Sequence, residues 1–421
     1  MKIGVIGSGG REHAICLALC KSNKVSQIYC FPGNAGTSDI AKNINLNLEN
    51  FNELKSFSII NKIDLIIVGP EKPLVDGIVD FLEKNNIKVF GPNKISSQLE
   101  GSKIFTKNLC KKYGIPTAKF GIFKTLGDAK QFIKTTNHPL VVKADGLASG
   151  KGVYICSNVN ESNFAVEEIF GGKFGKAENL LIEEFLVGEE MSYFIITDGK
   201  TIKSFETAQD HKRVLEGDLG KNTGGMGAYS PSRLIDDILE KKILKKIIEP
   251  TIKGLQDIGT KYKGFLYAGL MIVKNEPYLI EYNVRMGDPE CQTILPKLNS
   301  DLLDIVISCC DGKLKEEEIK WHSKKSLCVV LCSKGYPEQF KKGVLIDNIN
   351  KIKLNKNEYL YHAGTTRIED KVYAEGGRVL NFVCLSESFS EARIRIFDLI
   401  KSLNWNGGFF RKDIAHKVIN E

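Results

Sequence analysis

The sequence predicts an α/β protein with an N-terminal doubly wound parallel sheet, a two-lobed middle region and a smaller C-terminal α+β domain. Short β-branched runs alternate with amphipathic stretches at the start of the chain, which is typical of a parallel sheet covered by helices. Near the end, strand patterns return with a single helical pattern among them. The chain of 421 residues is also too long for one compact core, which favours several domains.

The N-terminal domain is predicted to span residues 1–115. Each of its strand patterns is followed by a turn signal and a helical pattern, which indicates helices on the faces of a parallel sheet. The strand patterns cover residues 2–6, 27–31, 64–69 and 89–91. Gly114 and Pro116 end the helical pattern of residues 96–113 and so place the boundary.

The middle region is predicted to span residues 116–312, with one lobe over 117–190 and a second over 191–312. The first lobe carries a Gly-rich loop, residues 145–152, between two strand patterns, which favours a mobile flap. The second lobe combines a Gly-rich loop over 210–229, one long helix over 232–262 and two apolar strands over 264–273 and 277–284. The C-terminal domain, residues 313–421, has one helix near 389–402 among its strands.

Composition and charge exclude several classes of protein. The net charge of +8 is spread along the chain as lysines without a basic block, which favours a solvated surface over nucleic-acid binding. The eleven cysteines show no Cys-x-x-Cys spacing, which favours free thiols in a reducing compartment over disulfides or zinc. Neither a secretory signal nor a membrane span is recognisable, so we expect a soluble cytoplasmic protein.

A glycine cluster, residues 7–10, follows the first strand and opens a helix, where free backbone N–H groups can bind an anion. This placement favours a phosphate or substrate site. A dinucleotide-binding motif would need glycine at the position of Glu12, and no acidic residue ends a second strand near residues 29–31. The dinucleotide interpretation is therefore disfavoured.

Lys143 ends an apolar strand pattern and precedes the Gly-rich loop that contains Lys151. A lysine at a strand end can hold phosphate oxygens, and a Gly-rich flap can close over a triphosphate. A Walker A loop is excluded because Asp145 and Gly152 stand where that motif needs Gly and Ser or Thr. A solvated hairpin remains the alternative on the local pattern alone.

Two groups of oxygen-bearing side chains follow apolar strands. Glu183, Glu184 and Glu190 offer acceptors for an adenine amino group or ribose hydroxyls, with a surface acidic patch as an equal alternative. Glu281 and Asn283 occupy alternate strand positions, so their oxygens share a face and suit Mg²⁺.

A charged turn comes directly after Asn283. It contains Arg285, Asp288 and Glu290. Packing does not explain so many charges after an apolar strand, which favours a functional site.

Ten segments, in family order, resemble the ATP-grasp superfamily and, within it, the phosphoribosylamine–glycine ligase family. They are GSGGREHA from Gly7, PGNAGT from Pro32, GPEKPLVDG from Gly69, VVKADGLASGKGV from Val141, EEFLVGEEMS from Glu183, QDHKR from Gln209, NTGGMGAYSP from Asn222, EYNVRMGDPE from Glu281, HAGT from His362 and GGRVL from Gly376. Because they span nearly the whole chain, the resemblance is far more specific than any single motif. It implies that residues 116–312 form a two-lobed ATP-grasp region.

The resemblance implies a ligase that joins glycine to 5-phosphoribosylamine with ATP, giving glycinamide ribonucleotide, ADP and phosphate in purine biosynthesis. A carboxylate is a poor electrophile, so glycine is expected to take the γ-phosphate first, and the amine then displaces phosphate. Positioning and charge neutralisation suffice for this chemistry, so no side-chain nucleophile is needed. The implied cofactors are ATP and Mg²⁺ or Mn²⁺, and the implied state is a monomer without nucleic-acid or membrane partners.

The same resemblance assigns individual residues. The ATP site comprises Lys103, Lys143, Gly146, Ser149, Gly150, Lys151, Gly152, Glu183, Glu184, Phe185, Leu186 and Glu190. The metal ligands are Glu281 and Asn283, and the glycine and acyl-phosphate site comprises Arg285, Gly287, Asp288, Asp210 and Lys212. Phosphoribosylamine is assigned to Gly9, Gly10, Glu12, Asn34 and Thr37. Many members of the superfamily carry another metal-binding acid on the preceding strand, but residues 269–273 are non-acidic, which leaves the number of metal ions open.

Three alternatives remain open at this point. Another ATP-grasp ligase of purine metabolism, such as a carboxylase, would not require glycine. A dehydrogenase would bind a dinucleotide at residues 7–10, against which Glu12 counts. A non-catalytic nucleotide-binding regulator would be expected to lack the set formed by Lys143, Glu281, Asn283 and Arg285, which is intact.

Overall fold

The computed structural model describes residues 1–147, 152–175 and 177–419. Its N-terminal part contains a five-stranded parallel sheet in the order β3-β2-β1-β4-β5. The strands are β1 (Lys2–Gly7), β2 (Gln27–Pro32), β3 (Lys42–Asn43), β4 (Leu65–Val68) and β5 (Val89–Phe90). The predicted parallel sheet is confirmed, with β3 as an additional edge strand.

The helices of this part connect successive strands. They are α1 (Gly10–Leu19), α2 (Phe51–Asn61), α3 (Glu71–Asp76), α4 (Ile78–Lys84), α5 (Gln98–Gly101) and α6 (Lys103–Tyr113). The chain moves outward from β1 to β3 on one side and then returns to place β4 on the other side of β1. The carboxyl ends of β1 and β4 therefore form a topological switch point, where ligands bind in open α/β sheets.

The first lobe of the middle region has a separate four-stranded antiparallel sheet in the order β6-β9-β7-β8. Its elements are β6 (Phe120–Phe123), α7 (Leu126–Thr135), β7 (Leu140–Ala144), β8 (Val153–Cys156), α8 (Val159–Phe170) and β9 (Leu180–Glu184). Leu140, Val142, Ile169 and Ile182 belong to a hydrophobic cluster confined to this lobe. We call this unit, residues 120–184, the flap lobe.

A nine-stranded antiparallel sheet crosses the predicted boundary at residue 312. Before that boundary, the sheet contains β10 (Glu189–Thr197), β11 (Ile202–Asp210), β14 (Gly227–Ser230), β15 (Gly264–Val273) and β16 (Glu276–Asn283). The strands β12 (Arg213–Leu215) and β13 (Leu219–Asn222) pair with each other as a separate hairpin. On the far side the sheet continues through β17 (Lys325–Ser333), β19 (Glu358–His362), β22 (Arg378–Ser386) and β23 (Gly408–Phe409). The two sides join where β14 pairs with β17.

The prediction of one long helix over residues 232–262 is wrong in two respects: the helical segment is shorter, and it is not a continuous α-helix. The structure has α9 (Asp237–Ile243), a π-helical turn over residues 244–248 and α10 (Glu249–Asp257). The side chain of Asp236 accepts a hydrogen bond from the Leu239 N–H and so caps the start. Pro250 has no N–H to continue the regular hydrogen bonding, which accounts for the irregular turn before it.

The remaining helices are α11 (Glu290–Ile294), α12 (Leu302–Cys310) and α13 (Phe389–Leu403). The C-terminal part also contains a three-stranded sheet of β18 (Val344–Leu345), β20 (Thr365–Ile368) and β21 (Lys371–Ala374). One hydrophobic cluster extends from Ile3 to Val418, so the N-terminal sheet and the C-terminal part share a core. Within the described ranges, the helices are all too short or too polar to cross a membrane.

Candidate active site

A cavity of about 460 Å³ lies where the N-terminal sheet, the flap lobe, the nine-stranded sheet and the C-terminal part meet. Twelve of the residues that the sequence assigns to a site line it: Lys103, Lys143, Gly146, Gly152, Glu183, Asp210, Lys212, Glu281, Asn283, Arg285, Gly287 and Asp288. These residues come from separate stretches of the chain. The fold therefore gathers the predicted phosphate, metal and carboxylate-activating residues into one space.

Two lysines and a glutamate form a buried ionic cluster on the flap-lobe side of the cavity. The Oε1 and Oε2 atoms of Glu183 lie 2.9 Å from Nζ of Lys107 and 2.7 Å from Nζ of Lys143. Burial acts to raise the pKa of Glu183, but the two ammonium groups outweigh it and hold the pKa below its usual range. Glu183 thus fixes two cations at the cavity wall, and sequence reasoning missed Lys107.

Lys103 approaches the same wall from the first turn of α6. Its ammonium donates to the Gly146 carbonyl at 2.9 Å, at the base of the Gly-rich loop. Burial lowers the pKa of Lys103 from its usual value. Ser149, Gly150 and Lys151, the predicted tip of the flap, lie outside the described residues.

Apart from Glu183, the residues predicted to bind adenine and ribose do not line the cavity. Glu184 accepts from the Lys119 N–H at 2.8 Å, and neither it nor Phe185 nor Leu186 lines the cavity. Glu190 forms an ion pair with Lys212 at 2.5 Å. The role of these residues toward nucleotide stays a prediction.

Glu281 and Asn283 project from β16 into the cavity. Neither side chain makes a hydrogen bond or ion pair with another residue in the described part of the chain. The opposing residue of Glu281 on β15 is Gly269, so no carboxylate stands across from it on that strand. The side-chain oxygens of Glu281 and Asn283 lie on one face of β16 and are open to the cavity. Oxygen atoms of this kind are suitable ligands for a divalent cation such as Mg²⁺.

Arg285 is held by two carboxylates from the N-terminal part. Its Nη2 atom lies 2.7 Å from Glu100 and its Nε atom 3.1 Å from Glu71. The guanidinium lowers the pKa of Glu71 to about 2, whereas burial raises the pKa of Glu100 to about 7. Glu71 lies in the segment GPEKPLVDG, but the sequence predicts no role for it, and no local pattern marks Glu100.

Asp210 and Lys212 lie at the end of β11 and directly after it. Burial, with the charges of Glu290 and Glu190, raises the pKa of Asp210 to about 7, although Lys212 opposes the shift. Burial acts to lower the pKa of Lys212, but Glu190 and Asp210 outweigh it and raise the pKa above the ordinary value. The pair lines the same cavity as Glu281 and Asn283, the predicted metal ligands on β16.

The C-terminal part contributes Arg378, which sequence reasoning did not assign to the site. Its Nη2 atom lies 3.3 Å from Asp288, and its Nη1 atom donates to the Asp288 carbonyl at 2.6 Å. Burial acts to raise the pKa of Asp288, but Arg378 and Arg11 outweigh it and lower the pKa. A residue some ninety positions further along the chain thus completes the cavity.

The five residues assigned to phosphoribosylamine are not among those that line the cavity. Glu12 accepts from the Gly9 N–H at 2.7 Å, and a Cβ on Gly10 would lie 2.4 Å from Asn381. Asn34 donates to the carbonyls of Ser8 and His362, and its backbone N–H donates to Thr37. These contacts join the loop after β1 to the C-terminal part, and their predicted substrate role stays a prediction.

A second cluster, His211, Asp218 and His416, has the composition of a metal site. However, the Nε2 atom of His211 accepts from the Ala415 N–H at 3.0 Å, and Arg411 lies 2.9 Å from Asp218. The hydrogen bond leaves the proton on Nδ1, and the guanidinium already neutralises the carboxylate. This cluster attaches the β12–β13 hairpin to the end of the chain.

The fold and the cavity together define an ATP-grasp enzyme: the flap lobe faces a second lobe whose strand β16 presents Glu281 and Asn283 to the cavity. Residues 1–100, 101–291 and 326–417 match the N, ATP-grasp (A) and C domains of phosphoribosylglycinamide synthetase. The chain belongs to the phosphoribosylamine–glycine ligase family, which is another name for the same synthetases.

Individual relatives agree over the full length. A phosphoribosylamine–glycine ligase from Brucella melitensis is 43% identical over 420 residues, covering 100% of this chain and 98% of its own. The crystal structure of phosphoribosylamine–glycine ligase from Thermotoga maritima shares 34% identity and a TM-score of 0.86, covering 98% of this chain and 100% of that one. The biotin carboxylase domain of a 2-oxoglutarate carboxylase from Hydrogenobacter thermophilus, solved with MgADP, shares the fold at 18% identity and a TM-score of 0.74, covering 97% and 91%.

Proposed function

We propose that this chain ligates glycine to 5-phosphoribosylamine at the expense of ATP, giving glycinamide ribonucleotide, ADP and phosphate in purine biosynthesis. The observation that carries the proposal is the single cavity into which Lys103, Lys143, Glu281, Asn283 and Arg285 all project. It brings together the lysines that would hold phosphate and the oxygen atoms that would hold a metal ion, beside charged groups suited to a carboxylate substrate. Family membership supports the same reaction.

The first step transfers the γ-phosphate to the carboxylate of glycine, which gives glycyl phosphate. Lys103 and Lys143 would hold phosphate oxygens from the flap-lobe side, where Glu183 keeps the second of them in place. A divalent cation held by Glu281 and Asn283 would neutralise charge on the transferring phosphate. Arg285, fixed by Glu71 and Glu100, would hold an anionic oxygen from the opposite side.

In the second step, the amine nitrogen of phosphoribosylamine attacks the acyl carbon of glycyl phosphate and forms the C–N bond. The bond from that carbon to the phosphate oxygen breaks, and the proton that the amine loses leaves with the phosphate. Holding both partners in one cavity would convert a slow bimolecular reaction into an effectively intramolecular one. Arg378 and Asp288 place a charged pair of the C-terminal part at this end of the cavity. We propose that phosphoribosylamine enters there, beside the glycine-rich loop after β1.

The proposal includes the working state of the protein. We propose a cytoplasmic enzyme that acts as a monomer with Mg²⁺ or Mn²⁺. Its eleven cysteines are all free thiols, which suits a reducing compartment.

Phosphate release from Mg-ATP tests the proposal directly. Purified protein is assayed with glycine and freshly generated phosphoribosylamine, and each substrate is then omitted in turn. Release that requires both supports the reaction. Release that ignores glycine would overturn the substrate assignment, and it would point to another carboxylate ligase built on the same fold.

A further inference from the structure

Lys107 is a third lysine beside the two that would hold phosphate, and the sequence predicts no role for it. It lies on α6, one turn after Lys103, lines the cavity and is 2% exposed. Its ammonium donates a hydrogen bond to the Thr117 hydroxyl and lies 2.9 Å from Glu183. A buried ammonium is unfavourable unless a carboxylate compensates its charge, so the contact with Glu183 determines what Lys107 can do.

The position of Lys107 is fixed from outside the flap lobe. The Thr117 hydroxyl, which accepts from Lys107, donates to the Leu279 carbonyl of β16 at 2.6 Å. Helix α6 itself belongs to the N-terminal part of the molecule. Glu183 and Lys143, in contrast, lie on strands β9 and β7 of the flap lobe. Lys107 therefore brings to Glu183 a cation from another part of the molecule.

The cluster formed by Lys107, Lys143 and Glu183 carries a net positive charge. One oxygen of Glu183 lies 2.7 Å from Lys143, and the other lies 2.9 Å from Lys107. Two ammonium groups with one carboxylate leave a single positive charge, whereas Lys143 with Glu183 alone would be neutral. Because all three side chains are buried, solvent screens their charges little, and the net charge decides how strongly the cluster attracts a phosphate.

We propose that Lys107 is a positioning residue, which neutralises Glu183 and so leaves the charge of Lys143 available to a phosphate of the nucleotide. Without Lys107, the carboxylate would hold Lys143 in a neutral pair, and phosphate would have to compete with that carboxylate for the ammonium. Lys107 itself contacts Thr117 and Glu183, so it acts through its neighbour and not on the substrate. This inference rests on the proposed function, because it explains how the phosphate-binding lysine of that site keeps its charge.

Nucleotide binding to Lys107→Met, measured by calorimetry, tests the inference. Methionine nearly keeps the length of the side chain and removes its charge. The Kd for MgATP should rise by about 10- to 100-fold, because Lys143 is then paired with Glu183 alone. Lys130→Met is the matched control, since Lys130 also pairs with a carboxylate, Glu167, but does not line the cavity. Its Kd for MgATP should equal that of the wild type.

The double variant Lys107→Met/Glu183→Gln separates an electrostatic role of Lys107 from a structural one. Removing the carboxylate as well leaves Lys143 with its positive charge, so the cluster regains the net charge that it has in the wild type. The double variant should therefore bind MgATP more tightly than Lys107→Met, by about tenfold or more. A structural role predicts the opposite, because a second substitution in the same buried cluster would add to the loss.

An unchanged Kd for MgATP in Lys107→Met, or a double variant that binds no more tightly than Lys107→Met, would overturn the inference. If Lys107→Met does not fold, the double variant is compared with Glu183→Gln. Their Kd values should agree within about threefold, and a larger loss would show that Lys107 acts on the nucleotide directly. These measurements need neither glycine nor phosphoribosylamine, so they remain decisive if the substrate assignment fails. Wild-type protein that binds no MgATP would instead refute the proposed function itself.

Discussion

At the residue scale, the carboxylates that line the cavity divide into those that hold a protein cation and those that do not. Glu183 holds two lysines, and Glu71 and Glu100 hold Arg285. Among the described residues, the unpaired carboxylates are Asp210, Glu281 and Glu290. The paired acids keep the cationic side chains in position, and the unpaired acids can bind cations that arrive with substrate or metal.

Glu281→Ala tests the metal assignment. Loss of a ligand should lower kcat by about 100-fold or more, because charge on the transferring phosphate is no longer neutralised. The melting temperature should change little, since Glu281 makes no hydrogen bond or ion pair with another described side chain. Glu276→Ala, on the same strand but paired with Lys242 and Lys246 at the surface, should keep full activity. Retained turnover in Glu281→Ala would refute the assignment.

The raised pKa of Asp210, a residue assigned to the glycine site, predicts how glycine use depends on pH. Its pKa of about 7 means that the carboxyl is neutral below pH 7 and charged above it. Because glycine keeps its ammonium throughout this range, the KM for glycine should rise as pH falls from 8 to 6, approaching about tenfold per pH unit. Steady-state assays across this range provide the measurement. Asp210→Asn should flatten the profile; an unchanged slope would contradict the prediction.

The site could be predicted from the sequence only where neighbouring residues carry the signal. Glu281 and Asn283 stand two positions apart on one strand, and Lys143 ends another. Lys107, Glu100 and Arg378 have no such local mark, because only tertiary packing brings them to the cavity.

At the element scale, the first turn of α6 connects the N-terminal part to the base of the flap. The Ser102 side chain caps the helix by accepting from the Phe105 N–H at 3.1 Å, and its hydroxyl donates to Asp145 at 3.1 Å. Lys103 then reaches the Gly146 carbonyl. The start of α6 therefore contacts both Asp145 and Gly146, the first residues of the Gly-rich loop.

Ser102→Ala should have two effects. Loss of the cap should cost about 1 kcal/mol in the free energy of unfolding, and loss of the Asp145 contact should raise the KM for ATP. Urea unfolding and steady-state assays measure them. Ser388→Ala removes the equivalent cap of α13, remote from the cavity, so it should cost similar stability without changing the KM for ATP. An equal KM for ATP in both variants would refute the link.

Strands could be predicted best where a run of consecutive apolar residues in the sequence indicates them. The strands predicted over residues 2–6 and 27–31 differ from β1 and β2 by one residue. The pattern of residues 210–229 indicates only a Gly-rich loop where the structure has the β12–β13 hairpin, because these strands are short and exposed and so lack an apolar alternation. The hairpin is held by contacts with the end of the chain, such as Arg411 with Asp218.

At the scale of the whole molecule, the nine-stranded sheet could not be predicted, because strand pairing across residue 312 leaves no local pattern. Gly227 lies at the junction: a Cβ there would lie 2.6 Å from the Cys328 carbonyl oxygen and 2.8 Å from Ile414. The close approach of β14 and β17 therefore requires a residue without a side chain at this position.

Gly227→Ala should separate these strands. We expect a loss of about 1–3 kcal/mol in the free energy of unfolding, measured with urea, together with reduced turnover. Gly127→Ala is the matched control: Gly127 lies in α7, and a Cβ there would have its nearest neighbour at 3.9 Å, so alanine should be neutral or stabilising. Equal stability of the two variants would contradict the role given to Gly227.

The pairing of β14 with β17 has a consequence for shortened chains. A chain that ended before Lys325 would leave without partners the backbone N–H and C=O groups of β14 that face β17, while β11 would still pair with the other edge of β14. It would also uncover apolar side chains that now pack against Leu327 and Val329. Such an open strand edge pairs readily with other extended chains, so the fragment should self-associate and precipitate rather than persist as an inactive monomer.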